Sequence, residues 1–249
     1  MAIYYISEVI KEMSKIIKDT IERNGRGLFI VLDGIDGAGK TSIAHELVQQ
    51  LNKSGIETLY TKEPGGIEQT KALETFIRNN EIAQFDYTLL FLVSMSLNLK
   101  KNILPALDAK KCVVCDRFLR STVVYQGYCS YNLYHPEVTD DTVKTFIQAV
   151  KTMTHDGQYS PDIEILIDID PNVALQNLLS RGKDLDKFES IGLDKLHTKM
   201  LASQYLINDE LSGYLSKYYT PIFNDPHKNS IEMMAGMIIK TIESRLVVL

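Results

Sequence analysis

The chain has 249 residues, of which 45% are hydrophobic and 24% charged, so it is long enough for one large domain with a sizeable core. Its net charge of −5 argues against a nucleic acid as the main partner, because a protein that binds a duplex needs a basic surface. We expect no membrane partner, since no apolar run reaches the roughly 20 residues of a membrane-spanning helix and the start does not resemble a signal or transit peptide.

The three cysteines do not form a disulfide framework, and this sparse set predicts a reducing, cytoplasmic location. Cys112 and Cys115 have a C-x-x-C spacing, but they lie in an apolar run that predicts a buried strand. Side chains three residues apart in a strand point to opposite faces of the sheet. Two core cysteines are therefore favoured over a metal site.

The first predicted element is an amphipathic helix over residues 3–24, where apolar side chains recur every three or four positions. Asn24-Gly25-Arg26-Gly27 then ends the helix and forms a short linker. We therefore divide the chain into an N-terminal helical extension, residues 1–26, and a main domain, residues 27–249.

The main domain alternates strands and helices. Apolar runs predict strands at 28–33, 57–61, 112–116 and 162–169, and a weak last strand at 219–223. Helices are predicted at 39–53, 67–79, 85–108, 139–151 and 229–247. Pro171 opens a further predicted helix, and another ends at about residue 217. A polar stretch at 180–190 interrupts the helices. This order predicts an α/β fold, a three-layer sandwich in which a five-stranded parallel sheet is flanked by helices.

One motif between the first strand and the next helix is specific for phosphate. Gly34-Ile-Asp-Gly-Ala-Gly39-Lys40-Thr41 matches the P-loop pattern G-x-x-x-x-G-K-[ST] at every fixed position. In such a loop Lys40 reaches the β- and γ-phosphates of ATP, and the Thr41 hydroxyl binds Mg²⁺. The predicted ATP-binding residues are Gly34, Ile35, Asp36, Gly37, Ala38, Gly39, Lys40 and Thr41.

A P-loop alone does not define the reaction. A GTPase would need Asn-Lys-x-Asp after a later strand, and the sequence lacks it. Motor and transport ATPases usually end the Mg²⁺-binding strand with Asp-Glu, whereas this strand ends with Asp116-Arg117. An arginine at that point suits a second phosphate, one that belongs to an acceptor. The pattern favours a small-molecule kinase.

From about residue 27 to the C-terminus the sequence resembles the thymidylate kinase family of P-loop nucleoside-monophosphate kinases. The segments that carry the resemblance are Glu63-Pro64-Gly65-Gly66, Leu89-Leu-Phe91 with Pro105-Ala-Leu107, Asp116-Arg117-Phe118 and Tyr125-Gln126-Gly127. The third has Phe where the family has Tyr. The resemblance implies transfer of the γ-phosphoryl group of ATP to dTMP, with Mg²⁺, on the route to dTTP.

The resemblance also implies roles for single residues. Arg117 clamps the acceptor phosphate, Asp36 accepts a hydrogen bond from the 3′-hydroxyl, and Phe91 stacks on thymine. Arg78 is placed near phosphate, although a lone helix arginine is equally consistent with a solvated charge. The implied substrate-binding residues are Asp36, Glu63, Pro64, Arg78, Phe91, Arg117, Tyr125 and Gln126, and the implied metal-binding residues are Thr41 and Asp116.

The sequence departs from the family at two places. Where the family usually has Asp-Arg, with an arginine that helps to read the base, this chain has Ser94 and Met95. Family members with glycine at the position of Gly37 place their catalytic cations in a mobile lid, here about 180–190. The implied catalytic residues are Lys40, Arg117, Arg181, Lys183 and Lys187.

Two other functions remain open at this stage. Met95 keeps a related P-loop kinase with a different nucleoside or monophosphate acceptor as an alternative. A nucleotide-binding module without catalysis, which interacts through residues 3–24, is the second, although the intact P-loop and Asp116-Arg117 speak against it. The resemblance further implies a homodimer, and the apolar helix at 85–108 offers a surface for it. The apolar side chains of the helix at 3–24 either add a second contact between the subunits or pack on the chain's own domain.

Overall fold

The computed structural model of the protein describes residues 15–81, 84–122, 124–125, 148–149, 152, 159–182, 192–206 and 219–247. These described residues contain a single parallel sheet with the strand order β2-β3-β1-β4-β5. Its strands are β1 Phe29–Asp33, β2 Thr58–Lys62, β3 Cys112–Asp116, β4 Ile163–Asp168 and β5 Tyr219–Phe223. The predicted five-stranded parallel sheet is thus confirmed.

Helices follow the strands in the predicted alternation. They are α1 at 15–24, α2 Lys40–Lys53, α3 Glu68–Asn79, α4 Gln84–Asn98, α5 Leu104–Asp108, α6 Leu119–Thr122, α7 Pro171–Leu179, α8 Leu193–Leu206 and α9 Ile231–Leu246. The predicted helix at 139–151 lies almost entirely outside the described residues. Residues 207–217, the end of the helix predicted up to about 217, and residues 183–190 of the predicted lid lie wholly outside them. Within the described part of the chain, no helix combines the length and apolarity that a membrane crossing requires.

The sheet separates two hydrophobic cores, because successive side chains of a strand point to opposite faces. Ile30 and Leu32 of β1 enter the first core, which includes side chains from α1, α2 and α9 and is called the α2 core. Phe29 and Val31 enter the second, which includes α4 and α5 and is called the α4 core. Helices on both faces of the sheet confirm the three-layer arrangement.

The cysteines follow the same alternation. Cys112 lies in the α2 core and Cys115 in the α4 core, so the two thiols are on opposite faces of β3. Both are free and buried. This arrangement confirms the prediction that Cys112 and Cys115 are core cysteines.

The predicted helix at 85–108 is one helical segment with a change of hydrogen bonding inside it. Between α4 and α5 a π-helical turn covers Leu99–Ile103, where the N–H of Leu104 donates to the carbonyl of Leu99, five residues back. Pro105 follows at the start of α5. Proline has no N–H and its ring crowds the preceding turn, so a regular α-helix cannot continue through it.

The described part of α1 packs on the main domain. Ile17 and Ile21 are buried in the α2 core, and Lys18 Nζ donates to the carbonyl oxygen of Ser54 at 2.9 Å. At residues 15–24 the stripe therefore serves the chain's own core, while residues 3–14 lie outside the described residues. The division at residue 26 stays a prediction.

Both edge strands of the sheet were predicted, one with a small shift and one at its observed bounds. The strand predicted at 57–61 is observed one residue later, as Thr58–Lys62. The weak last strand is β5, and it contains Pro221. Proline is tolerated there because β5 is an edge strand and pairs only with β4 among the described strands.

Candidate active site

The loop between β1 and α2 has the backbone shape of a phosphate cradle. Gly37 and Gly39 have φ values of 82° and 85°, in the left-handed region that favours glycine. At Gly37 a Cβ atom would lie 2.2 Å from the carbonyl oxygen of Ala174, so a larger residue does not fit. Gly39 is the N-cap of α2. The first N–H groups of a helix and its partial positive charge bind anions, so this loop presents them to a phosphate.

Lys40 begins α2 and is nearly fully buried. Its Nζ donates to the carbonyl oxygen of Ile35 at 2.7 Å, which turns the side chain back over the loop. Burial, assisted by the nearby Arg117, lowers the pKa of Lys40 to about 8. A bound phosphate would raise that pKa again, because an opposite charge favours the ammonium form.

Thr41 and Asp116 meet at the end of β3. The Thr41 hydroxyl donates to Asp116 Oδ2 at 2.5 Å. The other carboxylate oxygen, Oδ1, is buried and has no hydrogen-bond partner among the described residues. A hydroxyl and a carboxylate with an unsatisfied oxygen beside a phosphate cradle fit the oxygen ligands that Mg²⁺ prefers. Across all the residues that the structure describes, no cluster of three or more His, Cys, Asp or Glu side chains is suited to a metal ion.

Arg117 is held on both sides of its guanidinium. Nη1 donates to the carbonyl oxygen of Gly34 and to Ser121 Oγ, both at 2.9 Å. Nη2 donates to Asp36 Oδ1 at 2.7 Å. The backbone of Arg117 has φ 71°, which is uncommon for a residue other than glycine. The planar fork of the arginine is thus fixed beside the P-loop.

Asp36 and Tyr125 complete this group. The Tyr125 hydroxyl donates to Asp36 Oδ2 at 2.8 Å, and the Arg117 guanidinium lies over the Tyr125 ring, 5.0 Å from its centre. Burial alone would raise the pKa of Asp36, but Arg117 and Lys40 outweigh it and hold that pKa below its usual range. Asp36 is therefore a carboxylate at neutral pH and accepts hydrogen bonds.

The turn after β2 forms the facing part of the site. Glu63 and Pro64 are joined by a cis peptide bond, and the Glu63 N–H donates to the carbonyl oxygen of Asp116 at 3.0 Å. At Gly66 a Cβ atom would lie 2.4 Å from the carbonyl oxygen of Lys62, so the turn requires glycine there. The turn is thereby fixed against the end of β3.

The Glu63 side chain is buried against α4, a contact that the sequence analysis missed. Ser94 Oγ donates to Glu63 Oε2 at 3.1 Å and Asn98 Nδ2 donates to Oε1 at 2.7 Å. Burial raises the pKa of Glu63 to about 8. The signal was present in the sequence: Ser94 and Asn98 are four residues apart, on one face of the C-terminal half of α4, where most residues are apolar.

These elements enclose a cavity of about 330 Å³. Most of the residues predicted to act in the site line it. They are Asp36, Gly37, Gly39, Lys40, Thr41, Glu63, Pro64, Arg78, Phe91, Asp116, Arg117, Tyr125 and Arg181. Residues that were not predicted to act also line it: Ser42, Lys62, Glu74, Ile77, Met95, Phe118, Ser121 and Thr122.

The remaining predicted residues fall into two groups. Gly34, Ile35 and Ala38 belong to the loop but are not among the residues that line the cavity. Gln126, Lys183 and Lys187 lie outside the described residues.

Arg78 lies at the cavity and also has a protein partner. Its Nε donates to Glu74 Oε1 at 3.3 Å, and Glu74 in turn pairs with Lys62 at 3.0 Å. The side chain is about half exposed. The contact with a nucleotide phosphate and the solvated charge therefore both stay predictions for Arg78.

Comparison with known proteins gives one consistent family. The model of the thymidylate kinase family matches residues 32–210. The thymidylate kinase of Halalkalibacterium halodurans is 31% identical over 224 residues, which cover 89% of this chain and 98% of that protein. The thymidylate kinase of Clostridium novyi is 28% identical over 217 residues, with 86% of this chain and 98% of that protein covered.

A solved structure agrees in fold. The crystal structure of thymidylate kinase from Ehrlichia chaffeensis matches with a TM-score of 0.60 and 21% sequence identity. The match covers 87% of this chain and 98% of that one. The similarity supports the arrangement of sheet and helices described above.

Proposed function

Because this chain belongs to the thymidylate kinase family, we propose that it transfers the γ-phosphoryl group of ATP to dTMP and releases dTDP and ADP. One observation carries the proposal: Lys40 and Thr41 of the P-loop share a cavity with Arg117, whose guanidinium is fixed beside them. A donor phosphate and an acceptor phosphate both need cationic groups, and this cavity provides one for each.

On the donor side, the start of α2 and Lys40 bind the β- and γ-phosphates. Thr41 Oγ1 and Asp116 Oδ1 are the groups that hold Mg²⁺. When bound, Mg²⁺ supplies positive charge to the β- and γ-phosphate oxygens. Asp116 Oδ1, which has no hydrogen-bond partner within the described ranges, supports this assignment.

On the acceptor side, Arg117 binds the phosphate of dTMP, and Asp36 accepts a hydrogen bond from the sugar hydroxyl. Tyr125 supports both, through its hydroxyl on Asp36 and its ring under the guanidinium. Phe91 stacks on the base, and Pro64 lines the same cavity. Met95 lines the same cavity and offers the base an apolar contact.

The transfer joins the two sides. A phosphate oxygen of dTMP attacks the γ-phosphorus, the bond from that phosphorus to the β–γ bridging oxygen breaks, and ADP leaves. The protein contributes alignment and charge, because this transition state needs little covalent assistance. Arg181, at the cavity, covers the transferring oxygens, and we assign the same task to Lys183 and Lys187.

A coupled assay of ADP release tests the function. We expect dTMP to be turned over with the highest kcat/KM among dTMP, dUMP, dGMP and AMP, and activity to disappear in EDTA and return with added Mg²⁺. Higher activity with another monophosphate would favour the second candidate, a kinase for a different acceptor, which the apolar Met95 supports. No activity with any of the four would reject the proposal.

We also propose a homodimer formed through α4. Leu89 and Val93 are one helical turn apart and remain about half exposed, as does Phe76 of the adjacent α3. Leu92 and Leu99 are buried in the α4 core and so contribute nothing to the partner surface. Light scattering should give a dimer for the full chain and a monomer for Leu89→Glu. A monomeric wild-type protein at micromolar concentration would contradict the dimer.

We propose a cytoplasmic location. ATP and nucleoside monophosphates are present there, and the two buried thiols stay reduced in that compartment.

A further inference from the structure

Asp33 is a buried acid that the proposed reaction does not use. It is the last residue of β1, directly before the P-loop, and its side chain is fully buried. It is not among the residues that line the cavity. The four preceding residues of β1 are apolar, and an apolar side chain would continue the strand without the cost of burying a carboxyl group.

Asp33 connects to the acceptor side of the site through one hydroxyl. Ser121 Oγ donates to Asp33 Oδ1, and the same Ser121 Oγ accepts from Arg117 Nη1 at 2.9 Å. Ser121 can do both because a hydroxyl has one donor and two acceptor sites. When its proton is directed to Asp33, its lone pairs face the guanidinium.

The other oxygen of Asp33, Oδ2, is buried and has no hydrogen-bond partner among the described residues. The cations that act on Asp33 are Arg117, Arg120 and Lys40. Burial raises the pKa of Asp33, and the Ser121 hydrogen bond and these cations oppose that effect. Among the described residues Asp33 forms no ion pair, and its hydrogen-bonded connection to Arg117 runs through Ser121.

The short helix that carries Ser121 is independently anchored. Arg120 Nη2 donates to Glu164 Oε2 of β4 at 2.5 Å, and both side chains are fully buried. The Arg120 guanidinium also lies over the ring of Tyr219, 3.7 Å from its centre. Ser121 is thus held in place by its neighbour, and its hydroxyl has little freedom to follow a moving arginine.

We propose that Asp33 is a positioning residue, which orients the Ser121 hydroxyl so that it fixes the Arg117 guanidinium for the acceptor phosphate. Arg117 adopts a left-handed backbone, and such a conformation persists when surrounding contacts determine it. Asp33 and Ser121 supply part of that constraint from the side of the arginine away from Asp36. The inference rests on the proposed function, since it assigns Arg117 to the acceptor.

A double-mutant cycle with Arg117 tests the proposal. We expect Ser121→Ala and Asp33→Asn each to lower kcat/KM for dTMP by about tenfold, the size of one hydrogen bond to a charged group, with KM for ATP unchanged. In an Arg117→Ala background neither change should lower kcat/KM for dTMP further, because the group that they position is gone.

Thr20→Ala is the matched control, since it removes a buried hydroxyl, bonded to the Ile16 carbonyl, far from the cavity along the chain. It should leave all kinetic constants within twofold of wild type. If Asp33→Asn does not fold, as judged by thermal denaturation, Ser121→Ala completes the cycle alone. Full tenfold losses in the Arg117→Ala background, or none in the wild-type background, would overturn the positioning role. A wild-type protein inactive with dTMP would instead reject the proposed function.

Discussion

The two walls of the cavity are built from different kinds of contact. On the P-loop wall, Lys40 and Arg117 donate to backbone carbonyl oxygens of the loop itself. The facing wall, called the α4 wall, consists of the turn at Glu63-Pro64 with Phe91 and Met95 of α4. There the Glu63 side chain accepts hydrogen bonds from two side chains of α4, Ser94 and Asn98. The first wall depends on backbone conformation and a short motif, the second on which side chains α4 presents.

This difference indicates where the protein can vary. A backbone cradle tolerates few substitutions, because a Cβ atom would lie 2.6 Å from a backbone carbonyl oxygen at Gly34 and 2.2 Å from one at Gly37, and because Gly39 has φ 85°. A helix wall tolerates many, because a side chain can change while the helix stays. The chain keeps the family motif on the P-loop wall and departs from the family at Ser94 and Met95 on the α4 wall.

The largest effect is expected on the P-loop wall. Lys40→Ala should lower kcat by roughly a thousandfold, because the lysine acts on charge that develops in the transition state. ADP release at saturating substrates measures it. Lys53→Ala, an exposed change in the last turn of the same helix, should leave kcat unchanged. A folded Lys40→Ala protein with wild-type kcat would show that the P-loop does not act on ATP.

Arg181 tests whether charge beyond the P-loop contributes. Gly37 provides no cation in the loop, so Arg181→Ala should lower kcat by about tenfold and change KM for dTMP much less. Exposed Lys195→Ala is the control for removal of a positive charge that does not line the cavity. A loss confined to KM would assign Arg181 to ground-state binding.

Met95 tests the variable wall. Met95→Arg should raise the preference for dTMP over dCMP by about tenfold, because an arginine can donate to thymine O4 and cannot donate to the cytosine amino group. Met95→Leu conserves volume and should leave the ratio unchanged. Met95 also belongs to the α4 core, so thermal denaturation must accompany the kinetics. An unchanged ratio in a folded Met95→Arg protein would mean that another group reads the base.

The smallest effect concerns stability. The pKa of Glu63 is raised by burial from 4.5 to about 8, so between these values the folded protein retains a proton that the unfolded chain has lost. The free energy of unfolding therefore falls as pH rises from 5 to 8. A shift of one pKa unit corresponds to about 1.4 kcal/mol, and we expect a fall of at least that size.

Urea denaturation at pH 5 and pH 8 measures that difference. Glu63→Gln should reduce it, because glutamine keeps the shape and does not titrate, while Glu243, whose pKa burial raises to about 7, still contributes a smaller fall. Glu81→Gln, at an exposed site, should retain it. A Glu63→Gln protein with the same pH dependence as wild type would show that the loss of stability arises elsewhere.

The sequence predicted the sheet and the P-loop wall well, because both depend on local patterns. Apolar runs of about five residues defined the strands, and the spacing of Gly34, Gly39, Lys40 and Thr41 defined the cradle. The π-helical turn before Pro105 was missed, since a helical pattern does not distinguish hydrogen bonds to the fourth and fifth preceding residue.

The side-chain network of the site was less accessible to sequence reasoning. Asp33, Ser121 and Arg117 are linked across more than 80 residues of chain, and no local spacing reveals such a contact. Asn98 was likewise overlooked, because a polar residue on an apolar helix has no identified partner until the turn at Glu63 is placed against it.

The two thiols on opposite faces of β3 can each report on one core, Cys112 on the α2 core and Cys115 on the α4 core. Burial raises the pKa of Cys112 to about 11 and that of Cys115 well above its usual value. Since the thiolate is the reactive form, alkylation of either thiol requires that its own core opens first. Timed alkylation followed by peptide mapping therefore reports, in one sample, whether the α2 core and the α4 core open together or one before the other.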